Sequence, residues 1–161
     1  MNMEIRVHVL RLLEDYPERE RKIALLRYEL EHPTQISLEE MIDSMTFSSG
    51  DSINMAKNHI SNKTLYIALN YQQKADHINR EAADEIAAHL VELEQTQDRL
   101  KNYIALLDER QRDAIQYLYV EKLHIKEAAR QLGIALRSVH KVKDAAIDKL
   151  TEMYEFTGKL S

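Results

Sequence analysis

Two groups of residues have types and spacing that could do chemistry. The first is Arg137, Ser138, His140 and Lys141, which place cations and hydrogen-bonding groups within five residues. At about 100° per residue, a helix begun near Leu136 puts Val139, Ala146 and Leu150 on one stripe. Arg137, Lys141, Asp144 and Asp148 then fall opposite, with Ser138 and His140 flanking. The outward face is basic in its first half and acidic in its second. Arg and Lys suit guanine edges and phosphate oxygens, and Ser and His add polar contacts. Leu136, at the helix start, can meet a thymine methyl. This is the chemistry of reading double-stranded DNA. The second group is Glu81, Glu85 and His89, spaced by four on one helical face. Such a trio can ligate a metal, but di-metal carboxylate bundles need a matching pair from a second helix, and the sequence offers none. These three read as a solvated face.

The segment before Leu136 supplies what would position the first group. Asp108 and Gln111 are spaced as a capping box. A helix follows with Ala114, Ile115, Leu118 and Tyr119 on its apolar side. Glu121-Lys122-Leu123 breaks it, Ile125 to Leu132 forms a second helix, and Gly133 supplies the positive φ of a helix end. A last helix runs from about Leu136 to Tyr154. This is the order of a helix-turn-helix, whose second helix enters the major groove. Lys122, Lys126 and Arg130 are candidate phosphate contacts from the earlier part. The simpler alternative is a helical hairpin with solvated charges.

Leu107 to Leu150 resembles region 4 of bacterial sigma factors. The likeness rests on Glu127 and Ala129, Leu132-Gly133-Ile134, Ser138-Val139, Ala146 and Leu150. It implies a DNA-binding region acting in transcription. Three positions depart from the pattern. Ala135 stands where a Ser or Thr would cap the recognition helix, a loss of about 1 kcal/mol. His124 stands where a capping Ser is usual. Lys143 occupies a usually apolar position, with Val142 beside it to make the core contact.

Composition bounds the rest. The chain has 161 residues, no Cys, no Trp, three Gly and two Pro. So few breakers among Leu, Ile, Ala, Glu, Lys and Gln predict an all-α protein. With no Cys, a disulfide framework and thiolate metal sites are excluded. No apolar run is long enough to span a membrane, and Glu4, Arg6 and Arg11 interrupt any signal-peptide core. The expectation is a cytoplasmic protein. Net charge is −5, which argues against DNA only until its distribution is considered. Between Lys122 and Lys149 stand seven Lys or Arg and three acids, whereas Glu81 to Asp98 holds six acids and no Lys or Arg. The basic excess lies in the motif.

The scaffold is expected in three parts: an N-terminal helical region over 1–60, a long central helix over 61–107, and the helix-turn-helix over 108–157. The first helix, about Glu4 to Asp15, carries Ile5, Val9, Leu12 and Leu13 at helical spacing. Pro17 falls in the first turn of a second helix with Ile23, Leu26 and Leu30 on one side, ended by His32-Pro33. Ser37 and Glu40 cap a short helix with Met41, Ile42 and Met45, and 47–54 is a loop. From Asn62 to Leu107 there is no Gly or Pro. Ile86, Leu90, Leu93, Leu100, Ile104 and Leu107 follow a three-and-four spacing, broken by Gln97. That seam packs either on the N-terminal helices or on a second copy, and a homodimer is the expectation for a helix-turn-helix regulator.

The opening helix, with Val9, Leu13, Tyr16 and Ile23, and the segment from Ser61 to Thr64 before a long helix are similar to phage-type late transcriptional activators of the RinA and ArpU kind. That resemblance implies a small activator of phage or prophage genes; the N-terminal helices are expected to contact a partner, with RNA polymerase the candidate. A self-sufficient sigma factor is not expected. The first hundred residues hold no Trp, one Phe and four scattered Tyr, poor material for stacking on unpaired bases. No phosphate-binding loop or nucleophile motif is present, so neither an enzyme nor a cofactor is expected. The competing function is an adaptor whose helix-turn-helix binds another protein.

Overall fold

The computed structural model describes residues 2–33 and 62–158. The expected capping box at Ser37 and Glu40, the short helix with Met41, Ile42 and Met45, and the loop at 47–54 lie outside the described residues. Every regular element within them is helical, and no strand is present among the described residues.

Helix α1 spans Met3–Glu14 and is capped by Asn2, whose side chain accepts from the Glu4 N–H at 2.9 Å. Asp15 alone separates it from α2, Tyr16–Glu31. The boundary falls where Pro17 predicts it, since Pro fits a helix's first turn without losing a hydrogen bond. Helix α3 is continuous over Asn62–Ala105, 44 residues, or about 66 Å. The C-terminal helices are α4 (Glu109–Ile115), α5 (Ile125–Leu132) and α6 (Leu136–Gly158).

The segments 1–60, 61–107 and 108–157 follow the chain; packing groups the residues another way. Met1–Leu25 and Val91–Ser161 form one compact unit, and Leu26–Leu90 a second. In the second unit Ala75 and Leu90 are buried, and Glu29, Leu30, Pro33, Ala82 and Ile86 are among the residues lining a cavity of about 190 Å3.

The first unit has one hydrophobic core. Val9, Leu12, Leu13 and Tyr16 from the α1–α2 corner meet Leu100, Ile104 and Leu107 from the end of α3, Ile115 of α4, and Ala146, Ile147 and Leu150 of α6. Half of the predicted seam therefore serves the protomer's own core. Leu93 and Ile86 are only half-buried.

Gln97, which interrupts the seam, is buried and polar by design of its partners. Its Nε2 donates to the Tyr16 carbonyl at 3.2 Å and to Glu20 Oε1 at 2.8 Å. Its Oε1 accepts from Arg19 Nη1 at 2.9 Å, and the same guanidinium donates to the Leu12 carbonyl at 3.1 Å. Glu20 also pairs with Lys101 at 2.8 Å. Burial pulls the Arg19 guanidinium below its ordinary value, and Asp15 and the two nearby phenols oppose that shift. Gln97→Leu leaves this buried cation short of an acceptor and should cost about 1–3 kcal/mol. The double change Arg19→Met with Gln97→Leu should recover much of that loss, because well-packed apolar groups replace buried charge at little cost. A double-mutant cycle in urea measures both, and single variants as stable as the parent would refute the assignment.

Tyr154, on α6, packs edge-on against Tyr103 at 4.7 Å and His8 at 6.1 Å between ring centroids. Its hydroxyl is buried with no hydrogen-bond partner among the described residues. Burial pushes the phenol up to about 12, against about 10 in an unfolded chain. The folded chain thus holds this proton more tightly. The associated stability is complete below about pH 10 and is lost as pH rises through about 12. Tyr154→Phe should be at least as stable as the parent at pH 7 and should lose less stability between pH 10 and 12. Thermal unfolding across that range tests the expectation.

Candidate nucleic-acid interface

Helix α4 begins as its cap residues predict. Asp108 accepts from the Gln111 N–H at 2.8 Å, and Ala114 and Ile115 are fully buried. The helix then widens into a π-helical turn over Gln116–Val120, where the Glu121 N–H bonds to the Gln116 carbonyl at 2.9 Å. The sequence predicts plain α-helix here. Tyr119 and Val120 in this turn both pack against the core.

The chain leaves this turn through Lys122, whose φ is 55°. A non-Gly residue in the left-handed region is uncommon and needs support from its surroundings. The Lys122 ammonium supplies some, donating to the Glu14 carbonyl at 2.9 Å. That carbonyl ends α1, where a cation also meets the negative end of the helix dipole. Of the predicted phosphate contacts, Lys122 is therefore turned to the chain's own backbone.

His124 caps α5. Its Nδ1 accepts from the Lys126 N–H at 3.2 Å, and its carbonyl receives the first helical bond from Ala128. The position flagged as a departure thus keeps the capping function with a different side chain. At the other end Gly133 has φ 67° and ψ 31°. The Ile134 N–H bonds to the Ala129 carbonyl and the Gly133 N–H to the Arg130 carbonyl, both at 3.2 Å. These are the paired bonds of a Schellman ending, which requires the left-handed residue that glycine supplies. The tight reversal sets α6 against α5.

Helix α6 divides as its sequence predicts. Val139, Ala146 and Leu150 have no exposure, and Ile147 has 1 %. Val142 and Lys143 are both half-buried, sharing the position where the pattern has one apolar residue. On the opposite side Arg137, His140 and Lys141 are exposed, Ser138 is half-buried, and Leu136 is 41 % exposed. One surface of the first two turns thus carries the predicted groups. Asp148 departs from its predicted solvated place: it is half-buried and pairs with Arg6 of α1. On α5, Lys126 and Arg130 are exposed, and Arg130 pairs with Glu127 at 3.2 Å.

One residue beside the site escapes a reading by motif. Arg110, in the first turn of α4, lines a cleft of about 210 Å3 with Gln111, Lys141, Val142 and Ala145. A second cleft runs from Arg110 toward Asp113, Tyr117 and Gln131. The sequence marks Asp108 and Gln111 as caps, and nothing in the spacing shows that Arg110, between them, flanks α6. Glu81, Glu85 and His89 are all exposed, and among the described residues no cluster of three ligands for a metal exists.

With this geometry in place, the comparisons are specific. Residues 103–152 match the family model described as Sigma-70, region 4. The match covers less than a third of the chain and takes in the end of α3, α4, α5 and most of α6. It supports a sigma region 4-like helix-turn-helix in that segment. No curated protein and no solved structure matches the chain. Among the described residues no helix is long and apolar enough to cross a membrane.

The Val139 N–H bonds to the Ala135 carbonyl at 3.1 Å, which makes Ala135 the N-cap of α6. Its methyl accepts nothing, so Ala135→Ser should stabilise the chain by about 0.5–2 kcal/mol. A rise in the urea midpoint with unchanged m-value reads this out, and an unchanged midpoint would show the amides already satisfied.

Proposed function

We propose that the chain is a sequence-specific DNA-binding transcriptional regulator of the phage or prophage activator type. Helix α6, from Leu136, reads the major groove. Arg137 and Lys141 contact guanine or phosphate, Ser138 and His140 add polar contacts, and Leu136 meets a thymine methyl. Lys126 and Arg130 hold phosphates from α5, and Arg110 does so from α4, beside Lys141. Lys122 contributes by fixing the turn before α5. RNA polymerase is the protein partner, protomers pair on half-sites, and the site of action is the cytoplasm of a bacterial cell or phage-infected host.

The observation that carries this reading is the surface of α6. Two of its exposed cations, Arg137 and Lys141, lie in the first two turns, the part of a recognition helix that reaches base edges, while Lys149 farther along pairs with Glu152. The segment presenting them is the one that matches sigma-70 region 4. Specific binding should appear on fragments of the chain's own genomic neighbourhood titrated against random DNA. Affinity should fall steeply with salt, by roughly 0.9 in log–log slope for each phosphate neutralised. Arg137→Glu with Lys141→Glu should abolish specific binding while leaving circular dichroism unchanged, since both residues are exposed. Undiminished binding by that variant would place the reading face elsewhere. Equal weak binding of the parent to every fragment would favour the adaptor, a helix-turn-helix that engages a protein.

A further inference from the structure

We propose that α1 is a working part of the DNA-reading unit and that Arg6 is a positioning residue for α6. The matched region begins at residue 103, yet α1, far upstream, is built into its core. Val9 and Leu13 have no exposure and share one cluster with Ala146, Ile147 and Leu150 of α6. Two polar ties fasten α1 to the helix-turn-helix. Near its start Arg6 pairs with Asp148 of α6. At its end the Glu14 carbonyl accepts from Lys122, in the turn before α5. Helix α1 is therefore joined to the recognition helix at one end and to the start of its partner helix at the other.

The Arg6 side chain is 23 % exposed and that of Asp148 is 42 % exposed. The pair is partly shielded from water, so it is stronger than an exposed surface pair. Helical period puts Asp148 on the stripe of Arg137, Lys141 and Asp144, but in the fold it is half-buried and pairs with Arg6 of α1. Arg6 thereby fixes the rotation of α6 about its axis, which aims Arg137 and Lys141. Tyr119 packs against the same core, where burial raises its phenol and the charges of Glu14 and Asp144 add to that shift while Arg6 opposes it.

This inference rests on the DNA-binding reading, and its test separates the two. Full-length parent, Arg6→Asp, Asp148→Arg and the double exchange are compared for affinity to the preferred fragment, for salt slope and for thermal midpoint. Arg6→Asp should weaken binding by about tenfold, the scale of one charge-assisted contact. The double exchange should bind more tightly than the two single fold-changes multiplied together. The salt slope of Arg6→Met should equal the parent's, because a positioning residue neutralises no phosphate. Should Arg6→Asp fail to fold, Arg6→Met with Asp148→Asn supplies the same cycle with neutral side chains.

Binding by Arg6→Asp equal to the parent overturns the positioning role. A slope lower by about one in Arg6→Met, with no coupling to Asp148, makes Arg6 a direct phosphate contact instead. If the parent itself shows no preferred fragment, the DNA reading fails and this proposal fails with it. If the parent binds specifically and only the Arg6 cycle is flat, this proposal alone is lost.

Discussion

The contact between Arg19 and Gln97 is the constraint on which the unit containing the helix-turn-helix depends. Each residue sits at a position that helical periodicity gives to an apolar side chain. Arg19 follows Tyr16 and precedes Ile23 on α2, and Gln97 falls between Leu93 and Leu100 on α3. Both are buried. Apolar stripes tolerate a slip by one turn at modest cost, because one Leu replaces another. A buried guanidinium bonded to one amide and one carbonyl does not, because a slip strands every member of the network. The register it selects points Leu100, Ile104 and Leu107 at α1 and at α6. The recognition helix thus rests on a platform located by two polar residues some eighty positions apart.

That platform makes the helix-turn-helix part of a larger compact unit with the N-terminal helices. A matched segment of fifty or so residues buries too little apolar surface to be comfortably stable by itself. In this chain the deficit is met by α1, whose Val9, Leu12 and Leu13 complete the core under α6. The local backbone follows from the same need. Tyr119 and Val120 of the π-helical turn both pack inward, and Lys122 takes a positive φ to redirect the chain while its ammonium closes the end of α1. Each irregularity sits where the helix-turn-helix meets the added helix.

Much of this was legible in the sequence, and the limits have physical causes. The helix-turn-helix, its Gly133 reversal and the buried stripe of Val139, Ala146 and Leu150 follow from periodicity and turn chemistry, which are local. The seam from Leu90 to Leu107 was visible as apolar, but periodicity says only that a stripe is covered, never by what. Gln97 reads as a flaw in a heptad until its partners are known, and Arg19 reads as one more surface Arg in a charged helix. Both lie on apolar stripes, and two polar interruptions on neighbouring stripes were the available signal. His124 shows the opposite failure. A residue-type preference marked it as a departure from a capping Ser, while an imidazole nitrogen can accept a backbone hydrogen bond as a hydroxyl oxygen does. Asp148 and Lys122 were assigned to solvent and to phosphate because their partners, Arg6 and the Glu14 carbonyl, lie more than a hundred residues away.

These partners also change how the charge should be counted. The motif's excess of cations counts side chains, but a nucleic acid sees only those left facing outward. Lys122 is committed to a carbonyl and Lys149 pairs with Glu152, while Arg130 keeps most of its side chain exposed beside Glu127. What the fold leaves facing outward is a small group: Arg137 and Lys141 in the first turns of α6, Arg110 on the cleft that Lys141 also lines, and Lys126 and Arg130 on α5. On the reading proposed above, so small a group supplies limited nonspecific attraction in a chain of net charge −5. Discrimination must then come from base contacts made at close range, and those depend on the rotation and seating of α6. With few cations facing outward beside α6, the proposed reading depends on how firmly α1, packed in the same core, holds that helix.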